Sequence, residues 1–127
     1  MKKIIRTDKG PRPIGPYSQA VVANGLVFVS GQASVDPGTG ELVGEDVGTQ
    51  TRQALLNISS ILEAAGTDLS RVVRVGVFLA DMDDFAEMND AYRAFFVREP
   101  PARTTVEAAR LPLDARVEIE VVALAGA

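Results

Sequence analysis

The sequence predicts an α+β fold in which two helices cover one face of a mainly antiparallel sheet, within a single domain spanning residues 1–127. Two observations support this prediction. Several segments alternate apolar and polar residues, as strands do, and two others repeat apolar residues every three to four positions, as helices do. Their order along the chain is two strands, a helix, a strand, a helix and two strands. Two helices are enough to cover only one face of such a sheet.

The first two strands are predicted as a hairpin. Residues 20–23 and 26–30 are β-rich and flank Asn24-Gly25, a dipeptide that suits the positive φ angles of a type I′ turn. Before them, the prolines and glycines of residues 10–16 forbid regular helix or strand. We expect an ordered N-terminal loop that leads to Tyr17.

The two helices differ in their end signals. From Val47 onward the apolar residues follow one helical stripe, and Gly66 is placed where a glycine ends a helix, which predicts roughly five turns. The second helix is predicted to open at the aspartates of residues 81–84, which favour an N-terminus. Aromatic residues then recur at helical spacing, and Pro100-Pro101 is predicted to end the helix.

The remaining strands are predicted at residues 71–79, 104–106 and 116–124, the last two lying around a turn at residues 111–114. In residues 71–79, alternation assigns one face to Val73, Val75, Val77 and Leu79 and the other to Val72, Arg74, Gly76 and Phe78. In the last strand, the residues expected to face the helices are Val117, Ile119, Val121 and Ala123, which leaves Glu118, Glu120, Val122 and Leu124 on the open face. An open face with this much apolar surface predicts a symmetric oligomer.

Composition narrows the classes of partner. Lys and Arg number 13 against 17 Asp and Glu, a formal charge of −4, so the chain lacks the positive surplus that nucleic acid or an anionic bilayer would require. No run approaches the roughly 20 apolar residues of a membrane span, and the first residues lack the apolar core of a secretory signal. We expect a cytoplasmic protein that binds neither nucleic acid nor membrane.

The chain contains no cysteine and no histidine. This excludes disulfides, a thiolate nucleophile, an imidazole base and a Cys/His zinc site. The aspartates of residues 81–84 are explained by a helix start, so no metal site is predicted. Any acid or base must be a carboxylate, lysine, tyrosine or polarised water.

Arg103 and the carboxylates of the last strand are the strongest candidates for chemistry. Arg103 lies in an apolar strand, and Glu118 and Glu120 alternate so that both face the same side. An arginine with carboxylates is suited to bind a small anion and to support an acid-base step. The pattern does not decide which glutamate is the base.

Further motifs occur in a recognisable order across essentially the whole chain. With them, the chain resembles the Rid (YjgF-type) enamine/imine deaminases, whose fold is similar to that of the Bacillus-type chorismate mutase homotrimer. The matching motifs are Ile14-Gly15-Pro16-Tyr17-Ser18-Gln19, Val29-Ser30-Gly31-Gln32, Asn89-Asp90-Ala91-Tyr92 with Phe95-Phe96, Pro101-Ala102-Arg103, Ala109-Arg110-Leu111-Pro112 and Val117-Glu118-Ile119.

The resemblance implies a role for each matching residue. Arg103 would clamp the substrate carboxylate, and Glu118, rather than Glu120, would orient or activate water. The pocket would lie between adjacent subunits of the trimer. Further positions that match substrate-binding or near-pocket residues are Tyr17, Ser30, Gly31, Asn89 and the backbone of Thr105. Archetypal members carry cysteine at the Thr105 position, and because that contact is made largely by the backbone, we expect activity to survive and substrate preference to be affected.

The implied activity is hydrolysis of reactive enamines and imines, such as 2-aminoacrylate/2-iminopropanoate and 2-iminobutanoate, to 2-oxo acids and ammonia, without metal or cofactor. One alternative is a pathway-specific deaminase of the same fold, such as a 2-aminomuconate deaminase. Another is a non-enzymatic ligand-binding protein, or a translation inhibitor with ribonuclease activity.

Overall fold

The computed structural model describes residues 1–126 and contains one sheet with two helices packed on one side of it. The N-terminal half of the described chain forms three strands and the first helix. The elements, in chain order, are β1 (Lys3–Ile5), β2 (Ala20–Ala23), β3 (Leu26–Gln32), α1 (Val47–Ala64), β4 (Val72–Leu79), α2 (Phe85–Arg93), β5 (Ala102–Glu107) and β6 (Val117–Leu124).

The strands lie in the order β1-β2-β3-β6-β4-β5, and all neighbours are antiparallel except β4 and β5. The predicted α+β arrangement is therefore confirmed, with a mixed sheet. β5 and β6 do not pair around the turn that joins them: β6 inserts between β3 and β4, and β5 lies at the edge. Parallel strands need a long crossover connection, and α2 supplies it between β4 and β5.

The N-terminal segment contains a strand that the sequence did not reveal. Lys3–Ile5 pairs with β2, with Ile5 opposite Ala20. Three residues are too few to display an alternating pattern. The predicted loop follows, and it is held by the buried amide of Gln19, which accepts from the Thr7 backbone N–H at 2.8 Å and donates to the Pro11 carbonyl at 2.9 Å.

The hairpin and the first helix follow their sequence signals. Asn24 and Gly25 have φ angles of 51° and 78°, as the predicted turn requires. Asp46 caps the N-terminus of α1 by accepting from the Thr49 backbone N–H at 2.9 Å. Gly66, with φ 82°, follows the end of the helix, as predicted.

The second helix is shorter than predicted. α2 ends at Arg93 and does not continue to Pro100. The Phe95 N–H donates to the Tyr92 carbonyl at 3.0 Å, the i to i−3 bond of a tightening turn, and Phe96 still reaches the core from beyond the helix. The regular spacing of the aromatic residues therefore arises because both α2 and the turn that follows it pack against the core.

The core lies between the sheet and the helices, and the alternation in β6 matches the prediction residue for residue. β4 departs from prediction at its start. A bulge between Val72 and Arg74 places Val72 in the core and leaves Val73 42% exposed, which reverses their predicted faces. Neither helix in the described part of the chain has the length and apolar character needed to cross a bilayer.

Candidate active site

Arg103 lies on the helix-covered side of the sheet. In β5 it pairs with Val75 of β4, a fully buried core residue, so its side chain shares that face. Its guanidinium carbon lies 4.7 Å from the ring centroid of Tyr92 and 5.7 Å from that of Phe85, both in α2. The edge position of β5 brings this charge close to the helix layer without enclosing it.

The Arg103 guanidinium has no carboxylate within ion-pair distance among residues 1–126. The ion pairs present there are formed by Arg93 and Arg116 instead. A guanidinium has five N–H donors and attracts the face of an aromatic ring. Contact with rings, in place of a carboxylate, keeps those donors available to an anionic ligand.

Two buried hydroxyl groups lie in the same layer. Thr105 pairs with Val77 and therefore faces the helix side, as Arg103 does. Among the described residues, neither the Thr105 nor the Tyr92 hydroxyl has a hydrogen-bond partner. Burial raises the pKa of the Tyr92 hydroxyl, and Arg103 partly opposes that rise through its charge and through a weak hydrogen-bonding interaction that falls outside good geometry. Tyr92 is therefore a neutral neighbour of the guanidinium.

Glu118 lies on the open side of the sheet, where it pairs with Phe78 of β4. Its carboxyl group crosses over Gly31 of β3: a methyl group at Gly31 would lie 2.9 Å from the Glu118 carboxyl carbon. Burial is the main cause that raises the pKa of Glu118, and the negative charge of Glu120 raises it further. A half-buried carboxylate with a raised pKa is suited to accept a proton.

Glu120 lies on the same face but in a different setting. It is exposed and packs across Gly76 of β4, where Arg74 is also close. Glu118 is the more buried of the two and lies against the bulged part of β3. The geometry therefore favours Glu118 as the candidate base.

Tyr17 and Ser30 lie beside Glu118 around one pocket of about 980 Å³, together with Gly31 and Arg12. The Tyr17 hydroxyl accepts from the Ile14 backbone N–H at 3.3 Å, and its ring is 48% exposed. The Ser30 hydroxyl donates to the Ser18 carbonyl at 2.6 Å. These bonds fix the N-terminal loop along the open side of the sheet.

One chain does not bring Arg103 and Glu118 together. Their partners in β4, Val75 and Phe78, are three residues apart, so the two side chains point to opposite faces of the sheet. Arg103 and Thr105 are on the helix side, as is Asn89, which is half-buried in α2. The group on the open side consists of Tyr17, Ser30, Gly31 and Glu118.

The family model described as Endoribonuclease L-PSP matches residues 7–125, nearly the whole chain. The chain belongs to this family, the Rid or YjgF-type family. Its motifs in the sequence had indicated this membership, which is now confirmed.

Three relatives illustrate the range of the Rid family. A RutC family protein of Pyrococcus horikoshii is 52% identical over 97% of this chain and 98% of its own length. A protein of Bos taurus named 2-iminobutanoate/2-iminopropanoate deaminase is 47% identical over 99% of this chain and 92% of its own length. E. coli TdcF, whose crystal structure was determined with bound serine, is 42% identical in sequence. Its match covers 96% of this chain and 98% of the TdcF chain, with a TM-score of 0.91.

Sequence reasoning missed two features of this Rid-family site. The helical spacing of the aromatic residues indicates only a core position for Tyr92; the residue is buried, but its ring also contacts Arg103. A tyrosine at a core position, where phenylalanine would pack equally well, was the available signal. Arg12, which lines the open-side pocket, lies in a loop whose prolines gave no indication of direction.

Acidic residues near the start of α2 have structural partners. Asp81 accepts from the Asp83 backbone N–H at 2.8 Å, and the Asp84 carboxylate binds Arg116 at 2.9 Å. Within residues 1–126, no three carboxylates converge as ligands of a metal ion would.

Proposed function

We propose that this Rid-family protein hydrolyses 2-aminoacrylate/2-iminopropanoate, 2-iminobutanoate and related enamines and imines to 2-oxo acids and ammonia. The observation that carries the proposal is the pair of complementary half-sites: Arg103, without an ion pair among residues 1–126, on one face, and the proton-accepting Glu118 on the other. The name of the Bos taurus relative supports this reaction. The serine bound to TdcF supports a ligand that carries a carboxylate.

The half-sites suit consecutive tasks in this reaction. Two parallel N–H donors of Arg103 hold the substrate carboxylate, and the enamine tautomerises to the imine. Glu118 takes one proton from water as the water oxygen adds to the carbon of the imine, which is protonated from solvent, and a neutral carbinolamine forms. Glu118 passes that proton to the amine nitrogen and then takes the hydroxyl proton as the carbon–nitrogen bond breaks. This step forms the 2-oxo acid, and the released ammonia carries the remaining proton away as ammonium. Such a proton relay contributes roughly 100- to 10,000-fold to the rate.

The active site is proposed to form between subunits of a homotrimer. Because the two half-sites lie on opposite faces of one sheet, Arg103 of one copy must approach Glu118 of another. The open face also carries exposed apolar side chains, among them Phe28, Val106 and Leu124, which are 41–45% exposed and which association would bury. A monomer seen by light scattering at micromolar concentration would contradict this part of the proposal.

The test couples a serine or threonine dehydratase to the purified protein and follows ammonia or 2-oxo acid release. Wild type is expected to accelerate release, and Arg103→Ala to lose most of that acceleration. Arg52→Ala, which removes an exposed arginine of α1, is the matched control and is expected to behave as wild type. No acceleration by wild type, or equal acceleration by Arg103→Ala, would remove the basis of the proposal.

Two other functions have specific observations in their favour. A pocket of about 980 Å³ favours a deaminase for a larger substrate, such as 2-aminomuconate. The family model's description favours a ribonuclease. The formal charge of −4 opposes RNA binding. RNA cleavage that persists through repeated purification and disappears with Arg103→Ala would support the ribonuclease.

A further inference from the structure

Arg103 is a half-buried cation whose nearest compensating groups are aromatic rings. It points toward the helix layer, and no carboxylate among residues 1–126 pairs with it. Removing a charge from water is costly unless another group stabilises it. The faces of Tyr92 and Phe85 are the groups that the structure places there.

Of the two rings, Tyr92 is closer to the guanidinium and more firmly held. Its centroid lies 4.7 Å from the guanidinium carbon, compared with 5.7 Å for Phe85. Tyr92 is 7% exposed and its ring packs against that of Phe96 at 4.7 Å, whereas Phe85 is 39% exposed. A ring locked in the core can fix a flexible side chain that lies over it.

We propose that Tyr92 is a positioning residue that holds the Arg103 guanidinium ready for the substrate carboxylate; this inference rests on the proposed function. A carboxylate would hold Arg103 equally well but would occupy the N–H donors that the substrate needs. An aromatic face is a neutral support that does not compete for them. Holding the guanidinium in place before binding reduces the conformational entropy lost when substrate binds.

The ring, and not the hydroxyl, carries this role. The Tyr92 hydroxyl lies near enough to the Arg103 guanidinium for that group to lower its pKa, but it forms no well-aligned hydrogen bond in residues 1–126, and the ring face makes the defined contact with Arg103. Tyr92→Phe therefore keeps the support, and Tyr92→Leu removes it. Replacing Tyr92 by 3,4,5-trifluorophenylalanine keeps the shape of the ring but weakens its attraction for a cation.

The experiment measures binding of 2-oxobutanoate by calorimetry and turnover in the dehydratase-coupled assay. Tyr92→Phe is expected to match wild type. Tyr92→Leu is expected to weaken binding by roughly 2- to 30-fold, the range for an aromatic–cation contact, and to change kcat less. The trifluorinated ring is expected to fall between them, with unchanged thermal stability. Phe96→Leu, which removes a core ring for which the structure shows no contact with Arg103 among residues 1–126, is the matched control for packing loss.

A double-variant comparison separates the outcomes. If Tyr92 acts through Arg103, Tyr92→Leu will add no further loss of binding to Arg103→Ala. Equal affinity for the phenylalanine and trifluorinated variants, or equal losses for Tyr92→Leu and Phe96→Leu, would overturn the positioning role. If Arg103→Ala itself binds 2-oxobutanoate and turns over as wild type does, the proposed function fails and the inference fails with it.

Discussion

Glu118 has two neighbours that act on different properties of its carboxyl group. Gly31 gives it space to lie across β3, and Glu120 adds a like charge on the same face. Because its pKa is raised in the fold, its contribution to stability is complete below its ordinary pKa and is lost as pH rises through the raised value. Above the raised pKa the ionised group therefore opposes folding, which is typical of a residue kept for function.

Removing the charge of Glu120 should move the pH dependence of activity. Glu120→Gln is expected to lower the pKa of Glu118, since one of the two causes that raise it is gone, and to shift the acidic limb of the pH–rate profile to lower pH. Arg74 beside Glu120, and Arg12 and Tyr17 in the pocket, are the other charged or titratable groups nearby.

The measurement is kcat/KM in the coupled assay across the acidic range. The matched control is Glu63→Gln, which removes an exposed glutamate of α1 and should leave the profile unchanged. An acidic limb that stays in place, or that moves to higher pH, would show that Glu120 does not set the pKa of the base.

A substitution at Thr105 tests whether turnover needs the hydroxyl of this residue or only its backbone. Thr105→Val keeps the shape of the side chain and removes a buried hydroxyl without a partner in residues 1–126. The free energy of unfolding should therefore be unchanged or higher by up to about 1 kcal/mol. We expect turnover of 2-iminopropanoate to be retained. A large loss of turnover with normal folding would assign the hydroxyl to substrate binding.

Among the helices and strands, the pattern of apolar residues along the sequence predicted the elements that are long enough to show it. α1 and β6 carry their periodicity over 18 and 8 residues, and both were placed correctly. β1 is too short to show alternation, and the bulge in β4 is set by its pairing with β6. The parallel placement of β5 depends on where α2 packs. No local signal in residues 102–107 encodes it.

Two glycines under the β6 glutamates offer a matched test of the open-side half-site. A methyl group at Gly31 would lie 2.9 Å from the Glu118 carboxyl carbon, and one at Gly76 would lie 3.1 Å from Cγ of Glu120. Each substitution displaces the flexible side chain above it. Gly31→Ala should therefore lower kcat strongly, and Gly76→Ala only weakly.

Both variants are expected to unfold at temperatures close to wild type, which circular dichroism can verify. Equal losses of kcat, or a larger loss for Gly76→Ala, would move the role of base from Glu118 to Glu120.

In the whole molecule, the candidate site was predictable only in part. The absence of His and Cys directed attention to Arg103 and the β6 glutamates, but spacing along a sequence does not show that β4 separates them by an odd number of positions. The expectation of a pocket between subunits came from the family resemblance. The sheet register now supplies a physical reason for it.

Complementation between two inactive variants would test this arrangement. Arg103→Ala and Glu118→Gln should each be inactive, and mixed assemblies of the two should regain activity. In a randomly mixed ring, about a quarter of the sites combine an intact Arg103 from one variant with an intact Glu118 from the other.

The mixture is prepared by co-expression and compared in the coupled assay. The control mixes Arg103→Ala with a double variant that carries both Arg103→Ala and Glu118→Gln. This mixture should stay inactive because no chain supplies the arginine. Failure of the first mixture to regain activity, with mixed assemblies shown by mass spectrometry, would contradict a site shared between Arg103 of one chain and Glu118 of another.

In the proposed site between subunits, the opposite orientations of Arg103 and Glu118 would also make catalysis depend on protein concentration. An isolated chain, such as one newly released from the ribosome, would hold two incomplete sites and catalyse nothing until it met its partners. Specific activity would therefore fall on dilution as the assembly dissociates, and the reaction rate would report how much of the protein is assembled.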